Sequence, residues 1–262
     1  MCGIAGYSLS ARSELPRTLA AQALLAGIAE RGADAAGYAY RVGTSPVEAR
    51  KERGGASVLL DRLAIPHEAT QALLHVRDYT KGHPQIAANN HPIRHAGVVG
   101  VHNGIIVNDD DLFATDGIER AEPEMTVDSE IIFALAARSR GRTAKALERL
   151  FGSMAAAWLD EERTELILAR GMGRPLWTGC GGDGFFFAST REALELVERY
   201  AGVRLRKHDL PTGSVVAVED GRVVAEERFS PDLSFTEEPL PAVRAPGEQS
   251  ACLSLLASLA AI

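Results

Sequence analysis

The chain opens Met-Cys-Gly-Ile-Ala-Gly-Tyr, with one of its three cysteines at position 2. Once the initiator methionine is removed, Cys2 carries a thiol and a free α-amine on one residue, a pairing that only this position offers. The amine's ordinary pKa of about 7.7–8.0 lies close to the thiol's ordinary value of about 8.5. Near neutrality the amine therefore accepts the thiol proton, directly or through a water, and the sulfur becomes a nucleophile with its base attached. Small Gly3 leaves space for a substrate beside the sulfur, and a strand that starts there holds a terminus that is otherwise loose. The plainer reading is that Cys2 is an incidental small residue.

A nucleophile at a chain end needs a frame. Apolar alternation or continuous apolar runs predict strands over 3–8, 36–41, 72–76, 98–102, 153–160, 165–170, 185–188 and 214–218. Between them, Leu24 and Ile28 share one face of a helix after Pro16, and Ile131, Ile132 and Leu135 form a stripe just after Asp128 and Ser129. A third helix is expected over 191–200. Strands and helices come in groups and do not alternate strictly, which predicts an α+β fold of antiparallel sheets with helices stacked on them. From Ser230 to Ser250 the chain carries Pro231, Pro239, Pro241 and Pro246 among acidic residues and reads as a linker or extended tail. The last dozen residues are expected to form a short apolar helix docked on this or another subunit.

With 262 residues, 46% of them hydrophobic, the chain is long enough to close a large core. The formal charge of -7 is spread without a basic stripe, which argues against nucleic acid as a partner. Cys2, Cys180 and Cys252 are too few and too far apart for a disulfide framework and lack metal-ligand spacing, so a reducing, cytoplasmic setting is expected. Cys180 and Cys252 read as small buried hydrophobes. There is no basic-then-apolar leader, and the apolar end from Ala251 to Ile262 is too short to span a bilayer. His75, His91 and His102 do not follow a ligand pattern and are expected to be satisfied structural histidines. No phosphate-binding glycine loop is present, and no metal or cofactor is expected.

Further motifs, in order along the chain, resemble the class II glutamine amidotransferases. They are Met1 to Gly6 (MCGIAG), Glu30 to Gly37 (ERGADAAG), His75 to Ile93 (HVRDYTKGHPQIAANNHPI), Val101 to Asn108 (VHNGIIVN) and Thr126 to Ile132 (TVDSEII). More weakly, Gly173 to Thr190 and Leu210 to Val218 resemble the later strands of the same domain. The likeness runs to about Val218 and is nearest to the glutaminase half of glucosamine-6-phosphate synthase. It implies the N-terminal nucleophile hydrolase fold, a four-layer αββα sandwich, over residues 2–225, with 226–262 as a proline-rich acidic tail.

The resemblance also implies roles. Cys2 attacks the side-chain amide carbon of glutamine and forms a γ-glutamyl thioester, while its amine passes the proton to departing ammonia. The Asn103 side-chain amide and the Gly104 backbone N–H form the oxyanion hole, although Asn-Gly is also the commonest hairpin turn. Arg77 pairs with the α-carboxylate of the substrate and Asp128 with its α-ammonium; the alternative for Asp128 is a helix cap. Thr80 and Gly82 are lesser candidates for substrate contact. Arg31 and Gly32 lie beside the nucleophile in support, with a buried ion pair as the other reading of Arg31. The sequence departs from the family pattern at Asp78-Tyr79, where an aromatic residue and alanine are usual, at Lys81 in place of histidine, and at Ala33. An acid next to Arg77 is expected to compete for its guanidinium.

Taken together these readings predict an enzyme that hydrolyses L-glutamine and hands ammonia to a synthase partner. Two alternatives stay open: a stand-alone hydrolase of γ-glutamyl amides or peptides, and a silent subunit that binds glutamine without turning it over.

Overall fold

The computed structural model describes residues 1–237, 241 and 243–261. Pro239 of the expected tail and Ile262 of the expected terminal helix lie outside the described residues. In chain order the strands are β1 (Gly3–Leu9), β2 (Ala35–Val42), β3 (Glu48–Arg53), β4 (Ala69–Arg77), β5 (Ile93–His95), β6 (Val98–Ile106), β7 (Gly152–Asp160), β8 (Leu166–Arg170), β9 (Trp177–Gly181), β10 (Gly184–Ala188), β11 (Arg206–Asp209), β12 (Ser214–Glu219) and β13 (Arg222–Arg228). The α-helices are α1 (Arg17–Ile28), α2 (Asp109–Asp116), α3 (Glu130–Arg138), α4 (Thr143–Leu147), α5 (Arg191–Ala201) and α6 (Pro246–Leu259). One sheet runs β11-β9-β10-β1-β4-β2-β3 and the other β13-β12-β8-β7-β6-β5, with the paired strands antiparallel.

Strand periodicity sorts the core into three apolar layers, because successive side chains point to opposite faces of a sheet. In β1, Ile4 faces the second sheet while Ala5, Tyr7 and Leu9 face the helices. In β10, Phe185 and Phe187 enter the space between the sheets and Phe186 turns to the helical side. On the second sheet, Ala155, Ala157 and Leu159 of β7 face inward, whereas Met154, Ala156 and Trp158 pack with Ile131, Ile132 and Phe133 of α3. One helical layer (α1, α5, α6), two sheets and another helical layer (α2, α3, α4) follow, the expected α+β four-layer sandwich.

The predicted strands and the three predicted helices are present, most of them a residue or more longer than their patterns. Those without a prediction are mainly polar or very short. Strand β3 reads Glu-Ala-Arg-Lys-Glu-Arg, and the residues of β13 are all exposed, so neither carries an apolar alternation. Both are border strands of their sheets.

The segment after β13 lies against the domain at several points. Glu237 pairs with Arg174 at 2.6 Å, and the backbone N–H groups of Arg244 and Ala245 both donate to the Glu30 carbonyl at 2.8 Å. The Glu248 carboxylate accepts from the Ser57 N–H and hydroxyl at 3.0 and 3.1 Å. Cys252 and Leu256 of α6 are fully buried in the same cluster as Leu24 and Leu25 of α1. The terminal helix therefore docks on this subunit. Cys180, by contrast, is only half-buried.

Helices α1 and α5 meet at Gly27, where an added Cβ would lie 2.4 Å from Ala193 Cα. Thr190 fixes the same corner, since its hydroxyl accepts from the Ala193 N–H at 3.3 Å and donates to the Gly27 carbonyl at 3.1 Å. In a free helix Gly→Ala stabilises by about 1 kcal/mol. Here overpacking against backbone outweighs that gain, and Gly27→Ala is expected to destabilise by about 1–3 kcal/mol in urea unfolding. An unchanged or higher midpoint would show that the crossing is looser than described.

Candidate active site

Three strands deliver the chemistry to one place. Cys2 shares the inward parity of Ile4 just ahead of β1, Arg77 that of Leu73 at the end of β4, and Asn103 that of Val99 and Val101 in β6. Antiparallel pairing sets Gly3 opposite Val76, which puts Cys2 level with Arg77. A cavity of about 10 Å³ lies here, lined by Cys2, Arg77, Thr80, Gly104, Asp128 and other residues. It is no larger than one water needs. A cleft of about 750 Å³ elsewhere, beside Cys180, Arg204 and Arg222, contains none of the expected site residues.

Cys2 is held by its own backbone. Arg31, buried and without an ion-pair partner among the described residues, donates Nε–H to the Cys2 carbonyl at 2.8 Å. Gly32 is required by proximity, because a Cβ there would lie 2.4 Å from the Arg77 carbonyl. The Cys2 Sγ contacts the Asp78 carbonyl oxygen at 3.4 Å, and burial pushes the thiol up from its ordinary pKa. A buried thiol of raised pKa needs a base next to it to react near neutrality.

Arg77 and Asp128 face this cavity as opposite charges, neither in an ion pair among the described residues. The Arg77 guanidinium donates to Asn90 Oδ1 at 2.6 Å, to the Lys81 carbonyl at 2.9 Å and to the Gly82 carbonyl. It does not engage Asp78, so the expected competition from that acid is absent: the Asp78 carboxylate turns to the chain's terminal amine and to Arg244. Asp128 Oδ2 accepts the Ile106 N–H of β6 at 2.7 Å and makes no side-chain cap of α3. Burial pushes this carboxyl up to about 6. Thr80 is exposed and lines the cavity, whereas Gly82, at φ +79°, shapes the loop around Arg77.

Asn103-Gly104 lies inside β6 and forms no hairpin turn. Gly104 has φ +153°, and a Cβ there would lie 1.9 Å from the Ser153 carbonyl oxygen, so no other residue fits. The Asn103 side-chain amide is fully buried, and neither its nitrogen nor its oxygen has a partner among the described residues. A buried amide left open in this way is costly unless something else completes it.

The histidines are less satisfied than the sequence led one to expect. His102 Nδ1 pairs with the Ser129 hydroxyl at 2.8 Å, and His75 Nε2 with the His102 carbonyl at 3.1 Å. His91 stacks on His75 with ring centroids 4.1 Å apart, and both of its ring nitrogens lack a partner among the described residues. Burial holds His75 and His102 down to about 3, so these rings stay neutral. Among the described residues no group of three or more His, Cys, Asp or Glu is placed to hold a metal ion.

Sequence reasoning missed several supports. Asn90 holds Arg77, and Lys81 reaches Asp109 at 2.7 Å and Asp110 at 2.7 Å, fastening the loop over the cavity to α2. Lys81 had been noticed only as a departure from pattern; its acidic partners, next to one another at the start of α2, were the available signal.

Residues 70–196 match the model of the glutamine amidotransferase domain, a span that includes Arg77, Asn103, Gly104 and Asp128. The chain carries a class II glutamine amidotransferase domain. It is 30% identical over 238 residues to the glutamine–fructose-6-phosphate aminotransferase (isomerizing) of Chlamydia trachomatis, an alignment covering 87% of this chain and 37% of the relative. The corresponding protein of Bacteroides thetaiotaomicron is 29% identical, with 87% and 36% covered. The amidotransferase chain thus spans little more than a third of the length of these curated relatives. Its fold is that of a glutamine phosphoribosylpyrophosphate amidotransferase from B. subtilis, at TM-score 0.69 and 23% identity, with 87% of this chain and 49% of that one superposed.

The Arg77 fork cannot be replaced by a single ammonium. Arg77→Lys is expected to cost about 2–3 kcal/mol in urea unfolding and to speed proteolytic nicking between residues 78 and 82. Unchanged nicking would mean that Arg77 does not hold this loop.

Proposed function

We propose that this amidotransferase domain hydrolyses the side-chain amide of L-glutamine through a γ-glutamyl thioester on Cys2 and passes the ammonia to an acceptor domain or subunit, in the cytoplasm. The observation that carries the reading is the placement of a buried cation, Arg77, and a buried carboxylate, Asp128, neither ion-paired among the described residues, on one cavity with a thiol. A free amino acid is the substrate class that answers both charges at once. Its carboxylate satisfies the guanidinium, its ammonium satisfies Asp128, and its side chain extends toward the sulfur.

In this reading Met1 is removed and the Cys2 amine takes the thiol proton as sulfur attacks the amide carbon. The carbonyl oxygen acquires negative charge, which the Asn103 amide and the Gly104 N–H receive; one such donor contributes roughly 2.7–4 kcal/mol to the transition state. The unpartnered Asn103 amide supports this role, since its donor is free for an oxygen that forms only during reaction. The amine then protonates the leaving nitrogen, ammonia departs, and water cleaves the thioester to glutamate. The cavity holds no more than a water, so entry requires the loop of residues 78–82 to move outward. That the ammonia goes to an acceptor is inferred by analogy with the glutamine–fructose-6-phosphate aminotransferases, of which this chain spans little more than a third.

Ammonia release from glutamine, compared with asparagine and γ-glutamyl peptides, tests the assignment. Cys2→Ala is expected to abolish release, and Asn103→Ala to lower kcat by about 10²–10³ with a smaller change in KM. Glutamine turnover by the Cys2→Ala chain would end the proposal.

Asp128 adds a pH dependence. Burial holds its pKa near 6, and a substrate ammonium favours the ionised form, so binding releases a proton below that pH. The KM for glutamine should rise as pH falls through about 6. In Asp128→Asn it should be high throughout, by about 10-fold or more, and lose that dependence.

A further inference from the structure

Away from Cys2, the two sheets part at their borders. Ser8 of β1 pairs with Phe185 of β10, Phe185 with Cys180 of β9, and Cys180 with Arg206 of β11, so the four form one cross-strand row. Directly paired residues share a face, and Phe185 faces the space between the sheets with Cys180 packed on the same apolar layer. Arg206 therefore carries its charge on the inner face of a border strand, while Leu205 beside it packs on the helical side. Ser8 lies six positions beyond Cys2, about 20 Å at the ordinary strand rise, so this place is separate from the thiol cavity.

The opening is the cleft of about 750 Å³. The β9–β10 hairpin of one sheet meets the β12–β13 hairpin of the other beside it, since a Cβ on Gly221 would lie 2.7 Å from the Asp183 carbonyl oxygen. Cys180, Leu205 and Val223 give the cleft an apolar lining, and Arg204, Arg206 and Arg222, all exposed, give it a cationic one. Among the described residues no acid lines it, and none of the three guanidinium groups has an ion-pair partner. Acids close by in sequence are engaged elsewhere: Glu198 accepts the Leu205 N–H at 2.7 Å and pairs with Lys207, Asp209 pairs with Arg170 at 2.6 Å, and Asp220 accepts the Ala11 N–H at 2.9 Å.

Three cations gathered without an acid call for an anion, and the count narrows which one. A carboxylate has two oxygens and one charge, which a single guanidinium fork fills. A phosphoryl group has three oxygens and nearly two charges, enough for three forks. The volume is that of a small organic ligand.

We propose that this cleft binds a small phosphomonoester, its phosphoryl group held by Arg204, Arg206 and Arg222 and its organic part set against Cys180, Leu205 and Val223. Such a ligand ties β11 of one sheet to β13 of the other. The site requires nothing of the amidotransferase reaction.

Cys180 reports occupancy, because a bound ligand covers its half-buried thiol. The full chain is alkylated with iodoacetamide in phosphate-free buffer, and Cys180 is followed by peptide mass spectrometry with fully buried Cys252 as the reference. Phenyl phosphate is the probe; benzoate, inorganic phosphate and sodium chloride at matched ionic strength are the comparisons. Phenyl phosphate is expected to slow Cys180 alkylation saturably, by about 3-fold or more, inorganic phosphate to need a higher concentration, and benzoate and chloride to protect little. Arg206→Gln and Arg222→Gln should each raise the half-protecting concentration of phenyl phosphate by about 10-fold, and Arg206→Lys by less. Protection is a ratio within each variant, so altered intrinsic reactivity of Cys180 cancels. Absence of protection by phenyl phosphate, equal protection by any of the three comparisons, or undiminished protection in both Gln variants overturns the proposal. Ammonia release is not read, so either result leaves the assigned reaction to its own test.

Discussion

A guanidinium removed from water with no ion-pair partner among the described residues is the constraint around which this site is built. Arg77 is 2% exposed, and its neighbours supply oxygen dipoles where an anion is wanting. Such a charge persists only if its donors are filled, which obliges Asn90 and the carbonyls of Lys81 and Gly82 to converge on it. The loop from 78 to 82 takes its course from that obligation. Gly82 adopts a positive φ with Asn89 too near for a side chain, and Lys81 is left pointing to the acids that begin α2. The small size of the closed cavity is thus a result of electrostatics more than of apolar packing.

The strand frame explains why so few positions suffice for chemistry. Two sheets packed face to face bury almost everything between them, and polar groups survive there only at the strand ends and beside special glycines. Cys2 precedes β1, Arg77 ends β4, and Asn103-Gly104 occurs in β6 where the backbone departs from ordinary strand angles. Cys2 and Asn103 lie one same-face step from Ile4 and Val101, and Arg77 two steps from Leu73, so packing of these apolar residues fixes where Cys2, Arg77 and Asn103 stand.

How much was legible in the sequence follows from the same physics. Central strands announce themselves by nearly continuous apolar runs, as in β7 and β12, because each has two apolar faces to satisfy. Borders such as β3 and β13 have at most one, and their charged composition hid them. Cys2 and Gly3 stood out as candidates by residue type and position, and the ordered motifs further along the chain favoured that choice. The partners of Arg77 were not: Asn90 is thirteen residues away along the chain, and its use depends on a loop whose path no periodicity encodes. The turn reading of Asn103-Gly104 failed because local dipeptide preference yields to the β6–β7 ladder, which continues through both residues. The histidines were misjudged for a related reason, since stacking of His75 on His91 is a long-range contact that leaves ring nitrogens unpaired.

The charged borders have a consequence for solubility of the folded chain. Glu48, Arg50 and Glu52 on one outer strand, and Arg222, Glu226 and Arg228 on another, flank backbone groups that have no neighbour on their far side. A foreign strand that tried to extend either sheet would have to dehydrate these side chains before gaining a single ladder bond. Growth by edge addition is thereby discouraged at both places, and the sandwich keeps a finite width even though its strands are open at their margins.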